Sequence, residues 1–213
     1  MARAFRALTA LAAWAGLGIQ LWILLGGGAF ETPALAVWRF LAFFTILTNL
    51  IVAVVSTLSV LAPQSAAGRF VDGANARAAV LLYIGTVGII YHLILAGLWD
   101  PQGWQRIADQ LLHTATPVLV ALGWLVFDKK DGLRFRALPL FLIYPVGYTL
   151  YALARGAGDG FYPYPFIDVS GIGYPKAFLN IAGLTGAFVI GAGMIIFAGK
   201  FLAGTGVRNA PAR

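Results

Sequence analysis

The sequence predicts an all-α polytopic membrane protein, a bundle of six transmembrane helices forming one domain of residues 1–213. Of the 213 residues, 60% are hydrophobic and only 11% are charged, and the mean hydropathy is +0.83. Values this far from those of soluble domains indicate that the chain folds in lipid. Open sheet edges cannot lie in hydrocarbon and no segment alternates like a barrel strand, so a helical bundle is the remaining class.

Six hydrophobic runs are long enough to cross a bilayer, which takes about 20 helical residues. They cover residues 7–27, 37–62, 78–99, 104–127, 136–155 and 175–203. The first run follows a basic start, as in a signal peptide, but the sequence after it lacks a convincing cleavage site of small residues. We therefore expect the first run to be retained as a transmembrane helix.

The formal net charge of +7 predicts membrane topology rather than a nucleic-acid partner. Most of the basic residues fall at the termini or in the 2–3 and 4–5 loops, namely Arg3, Arg6, Arg69, Arg77, Lys129, Lys130, Arg134, Arg136, Lys200, Arg208 and Arg213. The others, on the opposite side, are Arg39, Arg106, Arg155 and Lys176. The positive-inside rule then predicts an integral membrane protein with both termini in the cytoplasm.

Three polar residues on different helices are predicted to share one depth in the membrane. Thr45, His92 and His113 each lie about two helical turns from the outer end of their helix, or roughly 10–14 Å below the outer surface at about 1.5 Å per residue. Asp109 precedes His113 by one turn, so its carboxylate can hold the imidazole in one tautomer.

Other polar side chains extend this predicted pocket. Asn49 lies one turn deeper than Thr45, and Tyr148 and Asn180 lie at comparable depth on the fifth and sixth helices. A threonine in a membrane helix commonly bonds a carbonyl of its own helix, whereas an ionisable residue at this depth is costly and more often functional. The sequence thus predicts a polar pocket that opens toward the outer leaflet.

The loop of residues 161–169 is expected to cover the pocket. Its two Tyr-Pro steps favour extended, stiff backbone. Its apolar residues Phe161, Phe166 and Ile167 suit burial against the bundle rather than contact with water.

Three stretches together carry a resemblance to a known family: WRFLAFFTILTNL on the second helix, HTATPVLVALGWLVF on the fourth and GFYPYPFIDV before the sixth. From about residue 7 to 203 the chain resembles the bacterial branch of the androgen-induced-gene family, which also contains the androgen-dependent tissue-factor-pathway-inhibitor-regulating protein. The resemblance implies an intramembrane hydrolase that cleaves fatty acid esters of hydroxy fatty acids with a threonine and a histidine. On this chain it assigns the nucleophile to Thr45, with Thr48 as the alternative, and the base to His113.

Hydrolysis of a lipid ester needs a nucleophilic oxygen, a base and hydrogen-bond donors for the oxyanion. Asp109 would orient His113 as the third member of a triad. The expected groups for binding the substrate or the oxyanion are Asn49, His92, Tyr148 and Asn180. This reaction requires neither a metal nor a cofactor, and its partner is a membrane lipid.

Two other classes of function remain open from the sequence. His92 and His113 could be axial ligands of one haem or could bind a metal. Alternatively, the chain is a non-enzymatic transporter or lipid sensor in which Asp109 and His113 bind a proton or a polar headgroup. A haem absorption band would favour the first class, and labelling by a serine-hydrolase-type phosphonate probe would favour the hydrolase.

The distribution of basic residues leads to a topology prediction. Reporters fused at Gly132, in the basic loop, should report a cytoplasmic location, and reporters fused at Gly158 should report an external one. Paired alkaline phosphatase and fluorescent protein fusions measure this. The opposite result at both positions would contradict the assignment of the outer leaflet to the pocket.

Overall fold

The computed structural model describes residues 1–204, and every regular element in that range is helical, as predicted. The α-helices are α1 (Ala2–Gly26), α2 (Pro33–Phe40), α3 (Phe44–Leu61), α4 (Ala66–Val71), α5 (Ala74–Ile90), α6 (Gly103–Gln110), α7 (Thr116–Val126), α8 (Leu138–Asp159), α9 (Val169–Ile172) and α10 (Tyr174–Gly204). The all-α class is confirmed.

Within residues 1–204, five helical segments are long and apolar enough to cross a membrane: Ala2–Gly26, Phe44–Leu61, Ala74–Leu98, Phe135–Asp159 and Tyr174–Gly204. Large apolar side chains such as Leu93, Leu179 and Phe197 lie exposed on their outer surfaces. So much exposed apolar surface suits lipid rather than water. The predicted 104–127 helix is a continuous run made of α6, a π-helical turn and α7, and its first part is polar.

The prediction of one continuous helix over residues 37–62 is wrong. The chain forms α2 and α3, separated by the three residues Leu41–Phe43. The interruption frees carbonyl groups, and because Ala42 is buried within the bundle they need donors from the protein. Two tyrosines of α8 supply them: the Tyr151 hydroxyl donates to the Leu41 carbonyl at 3.1 Å, and the Tyr148 hydroxyl donates to the Ala42 carbonyl at 2.9 Å.

The bundle contains two π-helical turns, which are wider than an α-helical turn. The first, Tyr91–Leu95, follows α5, and the second, Leu111–Ala115, lies between α6 and α7. Pro117 has no N–H to donate to the carbonyl of His113 one turn earlier. A Cβ at Gly88 would lie 3.2 Å from the Pro117 side chain and 3.3 Å from the His113 carbonyl oxygen. The glycine therefore lets α5 approach the second π-helical turn closely.

The core consists of two main apolar clusters. In the first, α1, α3 and α5 pack around the second π-helical turn, with Leu17, Val52, Ile84 and Leu112 buried among them. In the second, α5, α8 and α10 meet around Phe141, Phe188 and Ile196. The first cluster fixes the position of α3 relative to α6 and α7.

A buried ionic network closes the end of the bundle that holds the N-terminus. Arg6 donates to Asp72 and to Asp128 at 3.0 Å each, Arg77 donates to Asp72 at 2.5 Å, and Ser59 donates to Asp72 at 2.8 Å. Desolvation opposes ionisation of Asp72, but hydrogen bonds from Arg77 and Ser59 and the charges of both arginines outweigh it. The pKa of Asp72 is therefore below its ordinary value of 3.8.

We expect Asp72→Asn to lower the thermal midpoint by roughly 3–6 °C at pH 7, because charge-assisted hydrogen bonds to two arginines are lost. A lowered pKa means that the ionised carboxylate stabilises the fold above pH 3.8 and that this contribution disappears as the pH falls through the folded-state pKa. Thermal unfolding in detergent should thus show the two proteins converging below about pH 4. Asp131→Asn, at an exposed position, is the matched control, and a difference that stays constant at all pH values would contradict the prediction.

Candidate active site

A cavity of about 610 Å³ lies at the end of the bundle opposite the ionic network, beneath the loop that follows α8. Apolar side chains of α1, the α2–α3 interruption and the first π-helical turn form much of its wall. The wall also contains polar or hydrogen-bonding groups: Gln20, Arg39, Thr45, Tyr91, Trp99, Gln105, His113 and Tyr164. An apolar cavity with a few convergent polar groups is typical of a small-molecule site.

His113 lies on the second π-helical turn and is held by Asp109, one turn earlier. The distance from His113 Nδ1 to Asp109 Oδ1 is 3.0 Å. Asp109 is only 2% exposed, and its other oxygen accepts the Tyr91 hydroxyl at 2.7 Å. An ionised carboxylate only accepts, so the hydrogen of a neutral His113 ring is assigned to Nδ1 and the lone pair to Nε2.

Tyr91 supports this pair from the first π-helical turn. Its ring stacks on the His113 ring with centroids 3.8 Å apart and planes 12° apart. Its hydroxyl accepts from Trp99 Nε1 at 3.2 Å. Trp99, Tyr91, Asp109 and His113 therefore form one chain of hydrogen bonds that leaves His113 little rotational freedom.

Thr45 lies in the first turn of α3 and lines the same cavity as His113. The N–H groups of a first turn have no intrahelical acceptor, and they make this end of a helix partly positive. The Thr45 N–H points to the hydroxyl oxygen of Tyr164 at 3.4 Å. Thr48, by contrast, is fully buried and shares a hydrogen bond of 2.8 Å with the Tyr144 hydroxyl, away from this cavity.

Asn49 joins the two predicted catalytic segments but does not line the cavity. Its side-chain amide donates to the Thr45 carbonyl at 2.9 Å and to the Leu112 carbonyl at 3.2 Å. The second bond satisfies a carbonyl of the π-helical turn that carries His113. Asn49 is thus placed to fix α3 against this turn rather than to touch a ligand in the cavity.

The other three residues predicted to bind substrate also lie outside the cavity of about 610 Å³. Tyr148 binds the backbone of the α2–α3 interruption, Asn180 donates to the Phe166 carbonyl at 2.9 Å, and the exposed His92 is 3.1 Å from the Thr114 hydroxyl. Equal depth along the bundle therefore did not place these residues in one cavity. His92 and His113 likewise do not line this cavity together, as a shared haem would require.

The loop after α8 covers the cavity, and the prediction that it packs against the bundle is confirmed. Phe161 and Tyr164 line the cavity, and Ile167 is buried beside Tyr148. The Tyr162 ring packs directly on Gly156, where a Cβ would lie only 2.1 Å from a ring carbon. Only glycine permits this approach.

Arg39 is a wall residue that the sequence reasoning missed, although it belongs to the WRF stretch of the second predicted helix. Its guanidinium lies 4.2 Å from the centroid of the Phe161 ring, and Nη1 lies 3.5 Å from an Asp159 carboxylate oxygen. Nη1 is buried and makes no hydrogen bond. Arg39 therefore brings a guanidinium to the cavity wall, with Nη1 enclosed and paired in charge with Asp159.

Tyr91 and Tyr164 were also missed as wall residues. Tyr91 directly precedes His92, and the sequence led us to assign His92 rather than Tyr91 to the pocket. Tyr164 lies in the YPYP loop, where only the apolar residues were expected to contact the bundle. In both cases the hydroxyl group could have indicated a polar contact inside the bundle, because a buried tyrosine hydroxyl usually has a hydrogen-bond partner.

Comparison of the chain with family models, with curated proteins and with solved structures gives no match.

Proposed function

We propose that this protein is an intramembrane hydrolase of lipid esters, with Thr45 as the nucleophile, His113 as the general base and Asp109 as the group that orients His113. One observation carries the proposal: Thr45 and His113 line the same cavity, and a buried carboxylate holds Nδ1 of His113. The second nitrogen, Nε2, is then the one that can take a proton.

The reaction proceeds in two steps. Thr45 Oγ1 attacks the ester carbonyl carbon while its proton moves to His113 Nε2, and the same proton then passes to the leaving alkoxide as the carbon–oxygen bond breaks. Water, deprotonated by His113, then attacks the acyl-threonine, and His113 returns the proton to Thr45 Oγ1 as the fatty acid leaves. Thr45 and His113 share no hydrogen bond among the described residues, and such contacts often tighten only when substrate is bound.

The start of α3 suits an oxyanion that forms on the carbonyl oxygen. The first-turn N–H groups and the positive end of the helix dipole lie next to Thr45. The Tyr164 hydroxyl lies at the same place, and burial raises the pKa of Tyr164, so this group remains a neutral donor. We propose these donors for the oxyanion in place of the groups expected from the sequence, which do not line the larger cavity: Asn49, His92, Tyr148 and Asn180.

Arg39 supports a substrate with a free carboxylate. Fatty acid esters of hydroxy fatty acids, the substrates implied by the family resemblance, combine an ester, two hydrocarbon chains and one carboxylate. The apolar walls suit the chains, and the guanidinium of Arg39, a wall residue, suits the carboxylate. In the proposed topology, with both termini in the cytoplasm of a bacterium, such lipids reach the cavity from the outer leaflet of the inner membrane.

The first test of this proposal removes the nucleophile and the base. Thr45→Ala and His113→Ala should each lower turnover of a fatty acid ester by about 10³-fold or more, and the double variant should lose little beyond either single variant, because the two groups act as a unit. Asp109→Asn should cost less than either. Ester hydrolysis and labelling by a fluorophosphonate probe, measured on protein purified in detergent, check both steps.

Thr48→Ala is the matched control, since Thr48 lies three residues away on α3 and does not line the cavity. It should retain turnover close to that of the wild type. A Thr45→Ala protein with normal activity, or an inactive Thr48→Ala protein that folds normally, would contradict the assignment of the nucleophile.

The second test concerns the oxyanion. Tyr164→Phe keeps the ring and its packing but removes the hydroxyl, and we expect kcat to fall by about 10²-fold with little change in KM, because the hydroxyl acts mainly in the transition state. Steady-state kinetics measure this. A rise in KM at constant kcat would instead assign Tyr164 to ground-state binding.

A further inference from the structure

A second, smaller cavity of about 80 Å³ shares Thr45 with the first one as a wall residue. It lies between α5, α8 and α10, and we call it the acyl slot. The acyl slot and the larger cavity share four wall residues, Thr45, Tyr91, Leu95 and Tyr164. His113 lines only the larger cavity.

The walls of the acyl slot are apolar. They include Ile90, Leu142, Val146, Leu184 and Phe188. Besides Thr45, three threonines line the acyl slot, but their hydroxyls donate to carbonyls one turn earlier in their own helices at 2.8–2.9 Å, as found for Thr86, Thr149 and Thr185. Tyr148 also lines the acyl slot, and its hydroxyl donates to the Ala42 carbonyl. Beyond the shared residues, the acyl slot therefore offers hydrocarbon contacts rather than free donors.

Resting on the proposed function, we infer that the acyl slot binds the acyl chain of the ester and that the larger cavity binds the alcohol portion. When the carbon–oxygen bond breaks, the acyl carbon is bonded to Thr45 Oγ1, and the alkoxide must receive its proton from His113. The alkoxide side therefore lies in the cavity that contains His113. The acyl chain then occupies the other space that Thr45 borders, which is the acyl slot.

The two cavities differ in size, with about 80 Å³ for the acyl slot and about 610 Å³ for the larger cavity. On this assignment we expect the acyl chain to meet the stricter limit on size, whereas the alcohol portion can be bulkier.

The test fills the acyl slot without touching the catalytic groups. Leu184→Trp places a large ring in the acyl slot, and Ile190→Trp makes the same kind of change on α10 at a position 64% exposed to the surroundings. With one alcohol and butanoyl, octanoyl or hexadecanoyl groups, Leu184→Trp should lose at least about tenfold in kcat/KM on the longest ester and little on the shortest. Ile190→Trp should keep the wild-type profile.

Two further measurements keep the outcomes distinct. Leu142→Phe narrows the acyl slot from α8 and should shift the acyl-chain preference in the same direction if Leu184→Trp fails to fold. A hexadecanoic acid with a terminal photoreactive diazirine should label acyl-slot residues in the wild type and in Ile190→Trp, and less in Leu184→Trp.

If the wild type hydrolyses esters but both slot variants keep its chain-length profile, the inference is overturned and the proposed hydrolase stands. If the wild type hydrolyses no ester, the proposed function fails, and the labelling then decides alone whether the acyl slot binds an acyl chain. Labelling confined to residues outside the acyl slot overturns the inference in either case.

Discussion

The carboxylate of Asp109, buried inside a membrane bundle, is the constraint on which the arrangement of the candidate site depends. A charge at such a place is costly unless both oxygens accept hydrogen bonds. His113 and Tyr91 meet this requirement from two different helical segments. Stacking of these two rings requires that α5 approach the second π-helical turn closely, and the absence of a side chain at Gly88 leaves room for this approach. The hydrogen bonds to one carboxylate thus depend on the backbone of two helical segments.

The interruption between α2 and α3 also depends on hydrogen bonds to buried polar groups, in this case those of the backbone. Breaking a helix in lipid exposes carbonyl and N–H groups that water cannot satisfy. Tyr148 and Tyr151 satisfy the carbonyls, and Tyr164 accepts from the N–H of Thr45. The arrangement places a helix start, with its partial positive charge, beside the proposed nucleophile. A continuous helix over residues 37–62 would have had no such group at Thr45.

The sequence could predict properties that depend on one helix at a time. Hydropathy gave the helical class and the approximate spans, and the one-turn spacing gave the contact between Asp109 and His113. Rotation of helices about their axes depends on packing between segments, so Asn49, Asn180 and His92 were assigned to a pocket that they do not line. Tyr148 lines the acyl slot but not the cavity that contains His113. The interruption at Leu41–Phe43 carries neither glycine nor proline, and the tyrosines that stabilise it lie more than a hundred residues later.

The proposed division between the two cavities also orders the chemical steps. Hydrolysis of an acyl-threonine needs water beside His113, yet water must be kept away until the alcohol has left. The acyl slot has no free donors to hold water beyond the residues at its junction with the larger cavity, so water arrives through the larger cavity, whose wall carries Gln20, Gln105 and Arg39. On the proposed mechanism, the alcohol blocks this path while it occupies the larger cavity, and its departure opens the path to water. The same proposal has the acyl chain in the acyl slot keep the ester carbonyl in place for attack.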